Sequence, residues 1–356
     1  MQKKSSKLTD CAGIKPAVIA ESAQKRLFKT TLSRYILNTV CLALFFTVVQ
    51  LLISTKTINR YNSELLIQIC YNIILAVSLN LTAGFLGQLP LGHAGFMSIG
   101  AYAAALFTKG VELPEMIEFP IAVVIGAIFA GIFGVVIGLP ALRLKGDYLA
   151  IITLGFGEII RVVIQNLGFT GGAVGLRSIP KYSTFAWCFF WMVVTIFAIT
   201  TLIRSRHGRA ILSIREDEIA AEASGISTTY YKVAAFAVSA AFAGVAGALY
   251  AHYMRILDPS SFGFLKSVEI LVMVVLGGMG SVVGSVVSAS VLTLLPEWLR
   301  GFSEYRMIIY ALVLIIVMIF KPSGLFGRYD FSLGRAIDGG FARIRAFLNP
   351  KKGGAK

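Results

Sequence analysis

The chain has 356 residues, 56% of them hydrophobic and only 14% charged, with a mean hydropathy of +0.78. An ordinary soluble domain carries about 25% charge, so a water-soluble fold is excluded. At about 20 residues per bilayer crossing plus short connections, the length allows roughly ten helices and no separate soluble domain. The net charge of +15 collects at the two ends. Residues 1–35 hold eight basic side chains against Asp10 and Glu21, and residues 321–356 hold eight against Asp330 and Asp338. The tails thus supply 12 of the 15 charges. This is the positive-inside bias of a membrane protein with both termini in the cytoplasm, and it leaves no excess that calls for nucleic acid.

The expected organisation is a basic tail over 1–34, a transmembrane domain over 35–320 and a second basic tail over 321–356. The first apolar run, 35–54, lacks a small-residue cleavage site and reads as a retained span. Nine more follow at 65–85, 91–108, 119–139, 148–167, 183–203, 233–252, 262–276, 281–296 and 305–320. Alternating sides from a cytoplasmic N-terminus puts the Arg143/Lys145 turn, the 204–232 loop and the C-terminal tail all inside. Small residues at four-residue spacing, Gly126, Ala130, Gly134 and Gly138 in one span and Ala240, Gly244 and Ala248 in another, mark faces where helix backbones approach closely.

Two interruptions stand out along the chain. One runs Gly87-Gln88-Leu89-Pro90-Leu91-Gly92-His93, and the other Gly277-Gly278-Met279-Gly280-Ser281 between two short spans. Each is either a tight turn at the membrane surface or a broken helix beside a translocation path. In the fifth span Glu158 and Arg161 stand one turn apart, with Glu158 about 16 Å beyond Asp147 along the helix and so near the bilayer centre. A lone charge there costs about 2.5–3.5 kcal/mol, so the two are expected to pair, either as an ion pair that holds the bundle together or as a polar lining for a zwitterion. Glu269 in the eighth span raises the same alternatives.

No chemistry-bearing motif of an enzyme is present. GxxxxGK[ST], HExxH and GxSxG are all missing, and Cys11, Cys41, Cys70 and Cys188 have no metal-ligand spacing, so no metal site is expected. His93, His207 and His252 are scattered and read as local hydrogen-bonding groups. The longest internal polar stretch is Arg204–Lys232. There Ser213 and Glu216 match a capping box and Gly225 is a helix terminator, predicting a surface helix over 214–224. It is either a solvated loop or a docking helix for a cytoplasmic partner, with Ala220 and Ala221 facing that partner.

Six ordered stretches carry a resemblance: 87–106, 147–166, 170–176, 208–226, 232–251 and 267–287. Over roughly residues 65–325 the chain resembles the LivM-type permeases of branched-chain amino acid ABC importers. That resemblance implies an all-α polytopic fold of about ten transmembrane helices like type II ABC importer permeases, in a bacterial inner membrane. It implies a homologous LivH-type second permease, two cytoplasmic ABC ATPases that hold ATP and magnesium, and an extracytoplasmic amino-acid-binding protein, with no cofactor on this chain. Coupling to the ATPases would fall to Arg215, Glu216, Glu218, Ala220, Ala221, Glu222 and Gly225, in a loop similar to the EAA loop. Candidates for the path or for an intramembrane polar pair are Gln88, His93, Thr153, Glu158, Arg161, Gly171, Gly172 and Glu269. The helix breaks fall at Gly87, Pro90, Gly92, Gly277, Gly278 and Gly280. Pro90 stands where the family usually has Ser, and the 170–176 loop lacks a small polar residue at its middle, departures that leave urea and short-chain amide permeases open. A proton-coupled secondary carrier, titrating at Glu158 and Glu269, is the rival of another class.

Overall fold

The computed structural model describes residues 44, 46–55, 59–111, 113–144, 146–299 and isolated positions from 305 to 324. Residues 46–54 are helical and belong to a unit distinct from 56–330. The tenth expected span is described only at isolated positions, and the two basic tails lie almost wholly outside the described residues. Among the described residues the fold is helical, with one isolated antiparallel bridge, Leu176 to Leu257.

The helices of the main unit are α1 (Arg60–Asn80), α2 (His93–Gly110), α3 (Glu115–Ala141), α4 (Asp147–Asn166) and α5 (Phe185–Arg204), then α6 (Arg206–Glu216), α7 (Glu218–Ala223), α8 (Thr228–Met254), α9 (Phe264–Gly277) and α10 (Val282–Trp298). A π-helical turn, Leu81–Phe85, continues α1. Eight expected spans correspond to α1–α5 and α8–α10, displaced by a few residues at their ends. Four stretches are long and apolar enough to cross a membrane on their own: Arg60–Phe85, Glu115–Ala141, Phe185–Arg204 and Thr228–Met254. The chain is therefore a mostly helical, multi-pass membrane protein.

Close backbone contact holds the centre together. α3 packs along α8, and α2 packs on both. A methyl group placed on Gly100 would lie 2.2 Å from the Gly244 Cα, one on Gly126 would meet the Gly100 carbonyl oxygen at 2.7 Å, and one on Gly134 would meet the Ala240 Cβ at 2.7 Å. In lipid, where apolar burial drives little association, contact of this closeness supplies dispersion that larger side chains would block. The small-residue stripes read from the sequence are these faces. α1 runs beside α8, α5 and α10, and α9 folds back on α10 and α1.

The polar 204–232 loop differs from expectation. The sequence predicts one helix, 214–224, capped by Ser213; the structure has two helices hinged at Asp217. The Ser213 hydroxyl donates back to the Ala210 carbonyl inside α6, so it caps nothing. Asp217 adopts an extended backbone and its carboxylate accepts from the Ile219 and Ala220 amides, satisfying two of the donors orphaned at the start of α7. Upstream, Ser205 caps α6 by accepting from Gly208 N–H. Gly225 terminates α7 at φ +82°, as its position predicts.

Candidate functional site

The two helix breaks, far apart in sequence, meet at one end of α1. Asn80, buried in the last turn of α1, makes the join. Its Oδ1 accepts from Gly280 N–H (2.8 Å), and its Nδ2 donates to the Ser281 carbonyl (3.0 Å) and the Ser285 hydroxyl (2.9 Å). Such a side chain is costly in an apolar span unless its donors and acceptor are matched, and here three bonds match them. Gly84 lets the breaks touch: a methyl group there would sit 1.8 Å from Asn80 Oδ1 and 2.2 Å from Gly280 N. Gly278 and Gly280, at φ +106° and +88°, turn the chain between α9 and α10. Gly324 packs against Gly278 from the other side.

Arg215, at the end of α6, reaches into this junction. Its Nη1 donates to the Gly84 carbonyl at 2.8 Å, while its side chain lies against Gly87 and Gly280. The π-turn ends here with carbonyls that have no continuing helix to accept from, so a cation is matched both to the bond and to the negative end of the helix dipole. Arg215 thereby ties the polar loop to both breaks at once. The loop is itself fixed: Ile211, Ile214 and Ala221 pack with Leu86 and Ala235, and the buried Lys232 ammonium bonds Glu218 at 2.8 Å. Ala221, expected on the outer face, is therefore inside, because that side of α7 is what seats it against the bundle. The outward side carries Ile219, 76% exposed, with Ala220, Glu222 and Ala223; Glu216 is also exposed, at the end of α6.

The first break is held by α4. The Thr153 hydroxyl accepts from Leu91 N–H (3.0 Å), and a methyl group on Gly92 would meet the Thr153 carbonyl oxygen at 2.1 Å. Pro90 sits in this segment, buried between the two glycines. Gln88 has its backbone bonded to the Thr82 carbonyl, while its buried Oε1 has no partner among the described residues. His93, next to the break and 2% exposed, lies 2.9 Å from the Ser78 hydroxyl. The same hydroxyl lies 2.9 Å from the Leu75 carbonyl, so His93 and the α1 backbone share it.

Further along α4, Arg161 donates to Glu158 at 2.7 Å, and the other oxygen of Glu158 accepts from Phe264 N–H at 3.1 Å. The pair therefore anchors the first turn of α9, placing a carboxylate where the helix dipole favours one. Glu269, on α9, takes the Lys266 ammonium at 2.9 Å and lines a cavity of about 300 Å³. Gly171 and Gly172 stand apart from the breaks. With φ +83° and +60° they fold the 168–175 loop, which the Leu176 to Leu257 bridge ties to the end of α8.

Asn80, Gly84 and Lys266 were not among the sequence candidates. The available signal was an amide or ammonium inside or beside an apolar span, which demands a partner but does not say where it is.

Four helices of bilayer length, with a polar loop that ties the 86–92 and 278–281 connections together, are the frame of a multi-pass membrane protein. Residues 61–318 match the branched-chain amino acid transport system permease component family, and the chain belongs to that family. It is 38% identical over 288 residues to the high-affinity branched-chain amino acid transport system permease protein LivM of Salmonella typhimurium, covering 71% of this chain and 67% of that protein. The figures for LivM of Escherichia coli K12 are the same. LivH of Salmonella typhimurium is 26% identical over 283 residues, covering 72% of this chain and 91% of that one. No solved structure matches the chain at a significant level.

Proposed function

We propose that the chain is one of two homologous permeases of an ATP-binding-cassette importer that carries leucine, isoleucine and valine into the cytoplasm across a bacterial inner membrane. Likeness to both LivM and LivH supports a two-permease system. Two ATPases holding ATP and magnesium would dock on the cytoplasmic side, and an extracytoplasmic binding protein would deliver the amino acid. Ten spans with both termini inside fit the charge of the tails. The observation that carries the reading is the Arg215 contact with Gly84: it gives a cytoplasmic motor a direct hold on the two helix breaks.

In this mechanism the ATPase dimer closes on ATP and pushes on the outward face of α7, formed by Ile219, Ala220 and Glu222. The buried contacts of Ala221, Ile214 and Lys232 make α6 and α7 move with the bundle. Arg215 passes the displacement to the end of α1 and to the α9–α10 turn. Interrupted helices yield at such points because few intrahelical bonds must break there. Glu158 and Glu269, the residues a proton-coupled carrier would titrate, each hold a cation three residues away. A cysteine at Glu222 should cross-link through a short bifunctional maleimide to a cysteine-bearing ABC ATPase in membranes with active uptake. Absence of any such product while uptake persists would refute the docking assignment.

A further inference from the structure

The start of the polar loop carries charge that the Arg215 junction does not use. α5, which leads into it, is the least buried of the four stretches long enough to span a membrane. Phe190, Phe197, Thr201 and Arg204 are all exposed and follow one another at seven, four and three residues, so they form a single stripe down the helix. An exposed stripe on the span nearest the edge of a bundle faces lipid, and this one ends on a cation. α6 begins two residues later, and its exposed side opens with Arg206 and Arg209, one turn apart.

The corner between the two helices is tight. The Ser205 hydroxyl donates to the Leu202 carbonyl at 2.6 Å and accepts from Gly208 N–H. A methyl group on Gly208 would lie 2.1 Å from the Ile203 carbonyl oxygen, so a side chain there would push α6 off the last turn of α5. The close approach gathers Arg204, Arg206 and Arg209 at one corner. None of the three forms an ion pair among the described residues. The acids of the loop stand at its far end: Glu216 is about 10 Å beyond Arg209 along α6, followed by Asp217 and Glu222. The loop is thus divided into a basic end below the lipid-facing stripe and an acidic end that holds Ile219. Beside the basic end, the His207 and Tyr231 rings lie 5.9 Å apart and Tyr230 is exposed, aromatic groups of the kind that gather at the level of lipid headgroups.

We infer that Arg204, Arg206 and Arg209 form a seat for the headgroup of an anionic phospholipid in the cytoplasmic leaflet, an assignment that rests on the cytoplasmic placement of this loop in the reading above. The phosphodiester takes the guanidinium groups, whose planar forks match phosphate oxygens, and the acyl chains lie along Phe197 and Phe190. Phosphatidylcholine fits less well, because its choline cation opposes the arginines. A free phosphate would meet the charges and leave the apolar stripe unused, as would an acidic protein surface. A headgroup held here anchors the start of the polar loop at the membrane surface.

The test uses the complete transporter, purified in detergent with phosphatidylglycerol and phosphatidylcholine in equal amounts, and native mass spectrometry to count the lipids that stay bound. The wild type should retain phosphatidylglycerol in preference, and excess inorganic phosphate should not displace it. The double variant Arg206→Gln/Arg209→Gln should hold one phosphatidylglycerol fewer per copy of this chain. Its affinity should fall by about 25-fold, at about fivefold for each arginine near an anionic headgroup. Arg206→Lys/Arg209→Lys should keep most of the binding, with an equal yield of permease. Equal retention by the wild type and the glutamine variant would overturn the seat, and so would displacement by inorganic phosphate. ATPase lost from the glutamine variant with its lipid unchanged would make the corner a protein contact instead. The wild type also decides the matter without any variant, since no preference for phosphatidylglycerol over phosphatidylcholine refutes the seat. A wild type that imports no leucine would refute the importer reading, while the lipid count, which needs no transport, still decides this one.

Discussion

Arg215→Ala is the substitution that most cleanly separates coupling from folding. The lost bond, Nη1 to the Gly84 carbonyl at 2.8 Å, has a charged donor and is partly buried, which places it at about 1.5–3 kcal/mol. The side chain is 18% exposed and its stem packs on Gly87, so truncation also removes packing, and the amount of assembled permease is measured beside activity. If closure of the ATPases reaches the breaks through this bond, the ratio of the two conformations shifts by roughly 10- to 150-fold. The assay is leucine uptake and ATP hydrolysis measured together in proteoliposomes holding the complete transporter. Arg215→Ala should keep hydrolysing ATP while uptake per ATP falls by about tenfold or more. Arg215→Lys should lie between, since it keeps the charge but loses the planar fork. A wild-type ratio of uptake to hydrolysis in Arg215→Ala would refute this route of coupling.

Gly84→Ala should be worse than a usual glycine substitution in a helix, because its methyl would overlap Asn80 Oδ1 and Gly280 N; folded protein recovered in detergent should drop, by the equivalent of about 1–3 kcal/mol. Glu158→Gln and Arg161→Gln should each lower recovery by stranding a charge, and the double substitution should recover part of it, since the amide oxygen introduced by Glu158→Gln would still accept from Phe264 N–H; a double variant worse than either single one would count against an ion pair. On α7, Ile219→Asp should abolish ATPase association while the permease remains folded, whereas Ala221→Trp should destabilise the loop itself because Ala221 is only 4% exposed. Comparing co-purified ATPase with permease yield distinguishes these two outcomes.

Much of the fold was legible because its signals are local. Apolar runs gave the helices, and Gly-Gln-Leu-Pro and Gly-Gly-Met-Gly gave the connections between them, since glycine and proline interrupt a helix wherever they cluster. The stripes at Gly126 and Gly244 announced close packing for the same reason. The junction was not legible: Asn80 and Gly280 are 200 residues apart, and nothing near either one names the other. The error in the polar loop arose from competition between caps. Ser213 looked like the start of a helix, but inside α6 its hydroxyl bonds backward to Ala210, and Asp217, hidden in an acidic run, makes the sharper stop. The inward turn of Ala221 depends on Leu86 and Ala235, which come from other elements, so a single helix wheel could not orient it.

The central claim is that ATP on partner subunits, and not a proton gradient, drives branched-chain amino acid uptake through this chain. Leucine uptake should therefore be measured in cells expressing the complete transporter, with a protonophore added and cytoplasmic ATP held constant. The account predicts that uptake continues under the protonophore and stops when the ATPases are inactivated. Uptake that collapses with the proton gradient while ATP is unchanged would contradict it.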